Sequence, residues 1–348
     1  MIESASAGSI FFTILGLTLE SHVVFDPRLT LFTKISILRE NLPGQVLFFA
    51  VMLEMYTFER LKGIGKLWQT VYNSVIREGN FMNTSERPFI FCHMETSLDG
   101  KIMGKYLWIP ETNTEHDVFY SLIFGDQAKF TFQASLEGRI TIEDNYTFYQ
   151  KPELDLSAAP VPEGDYLAPG AALGLYQIVM DSHGRVAWNQ NTIGEGDRTM
   201  HIVEVLTRQT SNAYKAYLRQ RGISYLICGD DHVDLEVLCR KIKKDLHVTA
   251  MMLAGGGVVN WSFVQAGLVD EMSIVLAPAA DGNRSTQSLF MTKAGISEDH
   301  PVVFKPLEVE LLDDGFIWLH YAVGEKNMYD FDNDPEYKEV QDMIKANS

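Results

Sequence analysis

The sequence has few cysteines and few basic residues. Three of its 348 residues are Cys (Cys92, Cys228 and Cys239), and 29 Lys and Arg stand against 46 Asp and Glu, a formal charge of -17. Three widely spaced cysteines form neither a disulfide framework nor a zinc knuckle, so they favour a reducing cytoplasm. The shortage of basic residues argues against a nucleic-acid partner, because phosphate backbones are bound by clustered Lys and Arg.

Long hydrophobic runs are also missing. The most apolar stretches, Ile10–Leu19 and Val46–Leu53, are far shorter than the roughly 20 residues that cross a bilayer. No Lys or Arg precedes Arg28, whereas a signal peptide begins with a basic region. We therefore expect no membrane partner.

The common nucleophile, metal and phosphate motifs are absent from the sequence. It contains no H-E-x-x-H, G-x-S-x-G or Walker A motif. His93 and Glu95 match the H-x-E of zinc-dependent nucleoside deaminases, but the partner P-C-x-x-C is missing. We interpret this match as accidental and predict no metal site.

The charge is unevenly distributed along the chain. Residues 1–81 contain seven basic and seven acidic residues, which leaves 22 basic and 39 acidic residues in 82–348. This shift predicts a boundary near Met82, a main domain over 82–324 and an acidic tail over 325–348, either a final helix or a loose end.

Residues 1–81 have three interpretations. One is a small helical extension packed on the main domain, with an amphipathic helix over Gln45–Lys66. The second is a membrane-surface segment, which the balanced rather than basic charge disfavours. The third takes Met82 as the natural first residue, because Arg77–Gly79 can be encoded by a purine-rich run that resembles a bacterial ribosome-binding sequence. A mass that includes residue 1, measured on protein from the native host, would exclude the third interpretation.

Strand-like and helix-like segments alternate after residue 86. This order predicts an α/β domain with a central, largely parallel sheet flanked by helices and a C-terminal antiparallel hairpin. The predicted strands are 88–94, 128–133, 175–180, 200–206, 224–228, 248–254, 272–277, 309–312 and 316–323. The predicted helices are 117–124, 211–221, 234–245 and 258–266, and 151–169 is predicted to be a long loop.

Three turns follow predicted strands and carry groups that suit phosphate. Gly255–Gly257 leads into a helix, Gly138–Thr141 contains Arg139, and Asp181–Arg185 contains a Ser, a His and an Arg. Open α/β sheets bind ligands at the carboxyl ends of their strands. Taken singly, the Gly255–Gly257 turn is equally explained as a tight connection between a strand and a helix, and the Gly138–Thr141 turn is better explained as a β-turn with a surface Arg.

Five segments together resemble a known family. They occur in the order Met94–Ile102 (METSLDGKI), Gly138–Thr141 (GRIT), Val179–Ser182 (VMDS), Leu253–Gly257 (LAGGG) and Ala266–Pro278 (AGLVDEMSIVLAP). The chain resembles the reductase domain of riboflavin-biosynthesis deaminase-reductases over about 87–323. The resemblance implies a dihydrofolate-reductase-like fold and a stand-alone, homodimeric reductase. It also implies NADPH-dependent hydride transfer to a ribosylaminopyrimidine phosphate, as in 5-amino-6-(5-phosphoribosylamino)uracil reductases.

The resemblance also implies site residues. Ser97 and Asp99 would face the substrate and the nicotinamide. The cofactor would be held by residues of the three turns: Gly138, Arg139, Thr141, Ser182, Arg185, Gly255, Gly256, Gly257 and Val258. Ser182 and Arg185 would meet the 2′-phosphate.

The chain departs from the family pattern in ways that keep other functions open. The deaminase half is missing, and Glu137 lies close to where anionic phosphates are expected. One alternative is an NADPH-dependent reductase of another heterocycle, such as a pterin. The other is a nucleotide-binding protein without turnover.

Overall fold

The computed structural model describes most of the chain after residue 85 and three short segments before it. The described residues are 8–14, 17–24, 32–35, 86–114, 117–125, 128–171, 174–195 and 198–347. The chain divides into two compact units, Met1–Tyr72 and Asn73–Ser348. The start at Met82 and the predicted helix over Gln45–Lys66 lie outside the described residues.

The described part of the first unit is a three-stranded antiparallel sheet. Its strands are β1 (Gly8–Ile14), β2 (Leu17–Val24) and β3 (Phe32–Ile35), with β2 in the middle. The expectation of a helical extension is therefore wrong for these segments. Both long strands are rich in β-branched and aromatic residues, and only Leu15 and Gly16 separate them in the sequence, which favours a hairpin.

The described residues of the second unit form ten strands and six α-helices. Its strands are β4 (Phe89–Thr96), β5 (Ala134–Gly138), β6 (Tyr176–Met180), β7 (Thr192–Glu195), β8 (Arg198–Leu206), β9 (Ser224–Ile227), β10 (Ala250–Leu253), β11 (Glu271–Leu276), β12 (Val302–Leu311) and β13 (Ile317–Lys326). Its helices are α1 (Val118–Ser121), α2 (Arg139–Ile142), α3 (Asn212–Gln220), α4 (Leu235–Asp245), α5 (Gly257–Gln265) and α6 (Pro335–Asn347). The tail therefore contains a final helix.

All ten strands form one sheet in the order β12-β13-β11-β4-β10-β5-β6-β8-β7, and β9 also pairs with β8. The pairs from β11 through β8 to β9 are parallel, whereas β12, β13 and β7 run antiparallel to their neighbours. The predicted mixed, mostly parallel sheet with a C-terminal antiparallel hairpin is confirmed. Because β10 lies between β4 and β5, the carboxyl ends of these three strands meet.

The core lies on both faces of the sheet. On one face, α4 and α5 bury Leu238, Ile242 and Phe263 against the strands. On the other face, one cluster surrounds Phe91 and Trp318, and another surrounds the residues that α3 buries. The central strands are therefore covered on both sides, as parallel strands require.

The second predicted strand of the domain was placed too early. Residues 128–133 are irregular, and the strand is Ala134–Gly138, all five of whose residues are buried. Phe130 and Phe132 alternate with polar residues in the sequence, a pattern typical of a half-exposed strand. In the structure both rings instead pack beside the Phe91 ring from an irregular segment. The short edge strand β7 was not predicted at all.

The helices α3 and α4 begin at the N-cap residues that the sequence predicts. The side chain of Ser211 accepts a hydrogen bond from the Tyr214 N–H, and that of Asp234 accepts one from the Val237 N–H, as N-caps do. Within the described residues, no helix is long and apolar enough to cross a membrane.

Candidate active site

A cavity of about 310 Å³ lies at the carboxyl ends of β4, β5 and β10. Its walls come from these strand ends, from the segment around α1, from the turns after β5 and β10, and from Gln287. It therefore occupies the edge of the sheet where ligands of open α/β folds bind.

Three of the predicted cofactor residues line this cavity. They are Thr141, Gly255 and Gly256. A Cβ added at Gly256 would lie 2.7 Å from Gln287 Oε1 and 3.4 Å from Thr141 Oγ1. The glycine keeps this wall open and lets a ligand approach the backbone.

Gly138, at the end of β5, and Gly257, after β10, allow the backbone to pack closely against other parts of the chain. The Gly138 N–H donates to the Gly255 carbonyl at 2.9 Å, which joins the end of β5 to the turn after β10. A Cβ at Gly257 would lie 2.2 Å from the Ser288 carbonyl oxygen, so the chain itself covers this residue. Neither Gly257 nor Val258, the first residues of α5, lines the cavity.

Arg139 already has an anionic partner. Its guanidinium forms an ion pair with Glu143, whose side chain is fully buried. Arg139 does not line the cavity. Its predicted role toward a phosphate stays a prediction, and any such role has to coexist with this ion pair.

Ser97 and Asp99 form a turn beside the cavity and do not line it. The Ser97 hydroxyl donates to Asp99 Oδ1 at 2.7 Å, and the Asp281 and Gly282 N–H groups donate to the Asp99 carboxylate. These hydrogen bonds lower the pKa of Asp99 to about 2. Here Asp99 fixes the loop after β11 to the end of β4, and its predicted role toward the substrate stays a prediction.

Ser182 and Arg185 lie at the end of β6, also outside the cavity lining. The Asp181 carboxylate accepts hydrogen bonds from the Arg185 and Val186 N–H groups and so shapes this turn. Arg185 is exposed and Ser182 is half-buried. Their predicted role toward a 2′-phosphate stays a prediction.

Carboxylates dominate the charge of the cavity. Four line it: Glu95, Asp117, Glu137 and Asp144. Among the described lining residues there is no Lys, Arg or His. The cavity therefore favours ligands with N–H donors and disfavours a phosphate between these side chains.

The surroundings of Glu95 change its pKa. Burial and, next, the negative charge of Asp117 raise the pKa of Glu95 to about 7. Its Oε1 is buried and has no hydrogen-bond partner among the described residues. Glu95 is not among the predicted site residues, because its only sequence signal is the H-x-E match with His93.

His93 of the same match is a core residue. Its Nε2 contacts the Phe119 carbonyl at 3.0 Å, its Nδ1 contacts Ser273 Oγ at 2.8 Å, and burial lowers its pKa to about 4. No group of three or more His, Cys, Asp and Glu in the described part of the chain is arranged to hold a metal ion.

Comparison with known proteins places this cavity within a known family. The model of the family described as "RibD C-terminal domain" matches residues 88–317, well over half of the chain. The chain belongs to the RibD C-terminal domain family. The match covers β4 to the start of β13, including the whole cavity lining.

Curated relatives of this RibD-domain chain carry one enzyme name, 2,5-diamino-6-ribosylamino-4(3H)-pyrimidinone 5′-phosphate reductase. The relative from Archaeoglobus fulgidus is 24% identical over 203 residues, which are 58% of this chain and 86% of the relative. The relative from Methanothermobacter thermautotrophicus is 34% identical over 74 residues, 21% of this chain. That match spans only 33% of the Methanothermobacter protein.

Solved structures related to this RibD-domain chain are distant. RibD of Acinetobacter baumannii is 16% identical with a TM-score of 0.43, over 69% of this chain and 59% of that protein. A pyrimidine reductase-like protein of Corynebacterium diphtheriae is 14% identical with a TM-score of 0.46, over 70% and 94% of the two chains.

Proposed function

We propose that the protein is an NADPH-dependent reductase that transfers a hydride to a ribosylaminopyrimidine phosphate in riboflavin biosynthesis. The observation that carries this proposal is the cavity at the carboxyl ends of β4, β5 and β10, which the glycine turn opens and which lies wholly inside the RibD-family segment. The enzyme name of the two curated relatives supports the substrate class.

The cavity fits part of a nicotinamide cofactor. Gly255 and Gly256 line the cavity beside Thr141 without side chains, as the close approach of a flat ring requires. The four carboxylates do not fit its phosphates, which therefore belong outside this lining. When bound, the cofactor supplies the hydride, and the protein positions the reactants and excludes water.

A turnover screen tests the proposal. The full-length protein is mixed with NADPH or NADH and with 2,5-diamino-6-ribosylamino-4(3H)-pyrimidinone 5′-phosphate, and loss of the reduced nicotinamide absorbance is followed. Substrate-dependent oxidation, faster with NADPH, is expected. If neither nucleotide binds to the protein, every enzyme assignment made here fails.

The carboxylate lining favours one other candidate, a reductase of a heterocycle without a phosphate, such as a pterin. The carboxylates of Glu95, Asp117 and Glu137 can accept hydrogen bonds from ring N–H and amino groups, which pterins and diaminopyrimidines both present. The same screen with a pterin and with the dephosphorylated pyrimidine separates the two candidates. A much higher kcat/KM for a phosphate-free compound would replace the first proposal.

Arg185→Ala tests the assignment of the 2′-phosphate. Loss of one charged hydrogen bond is expected to weaken NADPH about 10- to 100-fold and to leave NADH unchanged. Because Arg185 is exposed, the thermal stability of the variant is expected to equal that of the wild type.

Arg139→Ala would not separate cofactor binding from stability, since it also removes the partner of a buried carboxylate. Arg240→Ala on the exposed side of α4 is the matched control, and an equal loss for NADPH and NADH would contradict the assignment.

Gly256→Ala tests the glycine wall. The new methyl group would displace the end of the Gln287 side chain and narrow the cavity, so NADPH binding is expected to weaken about tenfold. The control is Gly194→Ala on β7, where the nearest atom to a new Cβ is 3.9 Å away. Unchanged NADPH affinity in titration calorimetry would remove Gly256 from the cofactor site.

We also propose a cytoplasmic homodimer. All three cysteines are free and buried, which supports a reducing compartment. The homodimer follows from the family resemblance, and sedimentation equilibrium of the full-length chain tests it.

A further inference from the structure

Glu95 occupies a position from which it can exchange a proton with a ligand in the cavity. It is the next-to-last residue of β4, and its side chain lines the cavity together with Met94 from the same strand. Its Oε1 is buried and accepts no hydrogen bond within the described part of the chain. Asp117 and Asp144 are different, because the Tyr120 N–H and the Tyr149 hydroxyl already donate to them.

The surroundings of Glu95 favour its protonated form. Among the described residues, the titratable groups that line the cavity with Glu95 are acidic or phenolic: Asp117 before α1, Tyr120 in α1, Glu137 on β5 and Asp144 after α2. Tyr106, before α1, also interacts with the Glu95 charge. The Tyr106 hydroxyl is also buried without a hydrogen-bond partner among the described residues, and burial and then the Glu95 charge raise its pKa. Burial and Asp117 raise the pKa of Glu95 to about 7, so that both protonation states are populated near neutrality.

The proposed reaction needs one proton. In a ribosylamine, C1′ is bonded both to the ring oxygen O4′ and to the exocyclic nitrogen. Breaking the C1′–O4′ bond leaves an alkoxide unless O4′ receives a proton as the bond breaks, so a general acid accelerates this step.

We propose that Glu95 is the general acid that protonates O4′ of the substrate. The inference rests on the function proposed above. The Glu95 proton moves to O4′, the electron pair of the C1′–O4′ bond goes to this oxygen, and the nitrogen lone pair forms a C1′=N bond. The hydride that the bound reduced nicotinamide supplies then adds to C1′, and the C1′=N electron pair returns to nitrogen. C1′ is reduced, the nicotinamide is oxidised, and the Glu95 carboxylate regains a proton from water.

Kinetics over a range of pH test this role. The full-length wild type, Glu95→Gln and Glu137→Gln are compared with 2,5-diamino-6-ribosylamino-4(3H)-pyrimidinone 5′-phosphate and saturating NADPH. Wild-type kcat is expected to fall as the pH rises through about 7, where Glu95 loses its proton. Glu95→Gln is expected to lower kcat about 100-fold or more and to abolish the fall in kcat above about pH 7. Its KM and its NADPH affinity are expected to stay within about threefold of the wild-type values. Glu137→Gln and the exposed control Glu308→Gln are expected to retain the fall in kcat above about pH 7.

A measurement that needs no turnover accompanies the kinetics. With ¹³C-labelled glutamate, the carboxyl resonance that disappears in Glu95→Gln is expected to titrate with a midpoint near pH 7 and to move to lower pH in Asp117→Asn. A midpoint near 4.5, the ordinary value for glutamate, would overturn the proposal. So would wild-type turnover combined with Glu95→Gln activity within threefold, and in that case the proposed function would stand. If the wild type does not turn over this pyrimidine, the proposed function fails first and the role of Glu95 fails with it.

Discussion

Replacing Asp270 with alanine is expected to lower the free energy of unfolding by about 3–5 kcal/mol, because it breaks a buried ion pair on one side only. Arg87 donates from Nη1 and Nη2 to the two Asp270 oxygens, both at 2.8 Å, and the Ile90 N–H donates to Oδ2 at 2.8 Å. The two side chains are only 14% and 6% exposed. The variant leaves the guanidinium and a buried N–H without their acceptor.

Urea denaturation at neutral pH measures this loss. The matched control is Glu310→Ala, which breaks the Lys129–Glu310 pair, whose side chains are 37% and 43% exposed. Exposed pairs contribute about 0–1 kcal/mol, so this variant is expected to stay near the wild type. Equal losses for Asp270→Ala and Glu310→Ala would show that the Arg87–Asp270 pair does not anchor β4 to the segment before β11.

The contacts of Asp270 give a structural reason for the segment Ala266–Pro278, which in the sequence is only one of the segments that resemble the family. Asp270 and Glu271 stand together in Ala266–Pro278, and each has a basic partner. Asp270 binds Arg87, while Glu271 Oε2 lies 2.9 Å from His320 Nε2. The motif therefore secures β11 between β4 and β13, which is a structural role at a distance from the cavity.

Replacing Glu95 with glutamine is expected to stabilise the protein at pH 8 by about 3 kcal/mol, because each pKa unit between the folded and unfolded states corresponds to about 1.4 kcal/mol. The folded pKa is about 7 and the ordinary value is 4.5. Between these values the folded state keeps a proton that the unfolded state releases, so the stability of the wild type falls as the pH rises. Above pH 7 the destabilisation is complete, and below 4.5 it vanishes.

Chemical denaturation at pH 4.5 and pH 8 checks this sign. The difference between Glu95→Gln and the wild type is expected to be present at pH 8 and nearly absent at pH 4.5. Glu308→Gln, on the exposed face of β12, is expected to show no such change. A difference that does not depend on pH would mean that Glu95 ionises normally. A residue that destabilises the fold at neutral pH fits a chemical role better than a structural one.

The helices and strands that could be predicted are those marked by a local sequence pattern, such as an N-cap residue or a short apolar segment. The helices α3 and α4 begin after Ser211 and Asp234, both recognisable N-caps, and β6 and β8 contain several apolar and β-branched residues in short succession. The position of β5 is not predictable locally, because Ala134–Gly138 is short, is buried on both faces and contains no β-branched or aromatic residue.

The candidate site could be predicted only in part. The glycine turn at Gly255 and Gly256 has a local signature, and it lies in the cavity wall with Thr141. The carboxylate lining has no local signature, because Glu95 and Glu137 come together only when β10 inserts between β4 and β5. The sequence also showed nothing of the contacts that bind Asp99 to the loop after β11.

Transfer of the hydride itself tests the central claim most directly. The full-length protein is incubated with 2,5-diamino-6-ribosylamino-4(3H)-pyrimidinone 5′-phosphate and NADPH deuterated on the transferable position of the nicotinamide, and the product is analysed by mass spectrometry. The account predicts a ribityl product with one deuterium, located at C1′. An unchanged substrate, or a product without the label while NADPH is consumed, would contradict it.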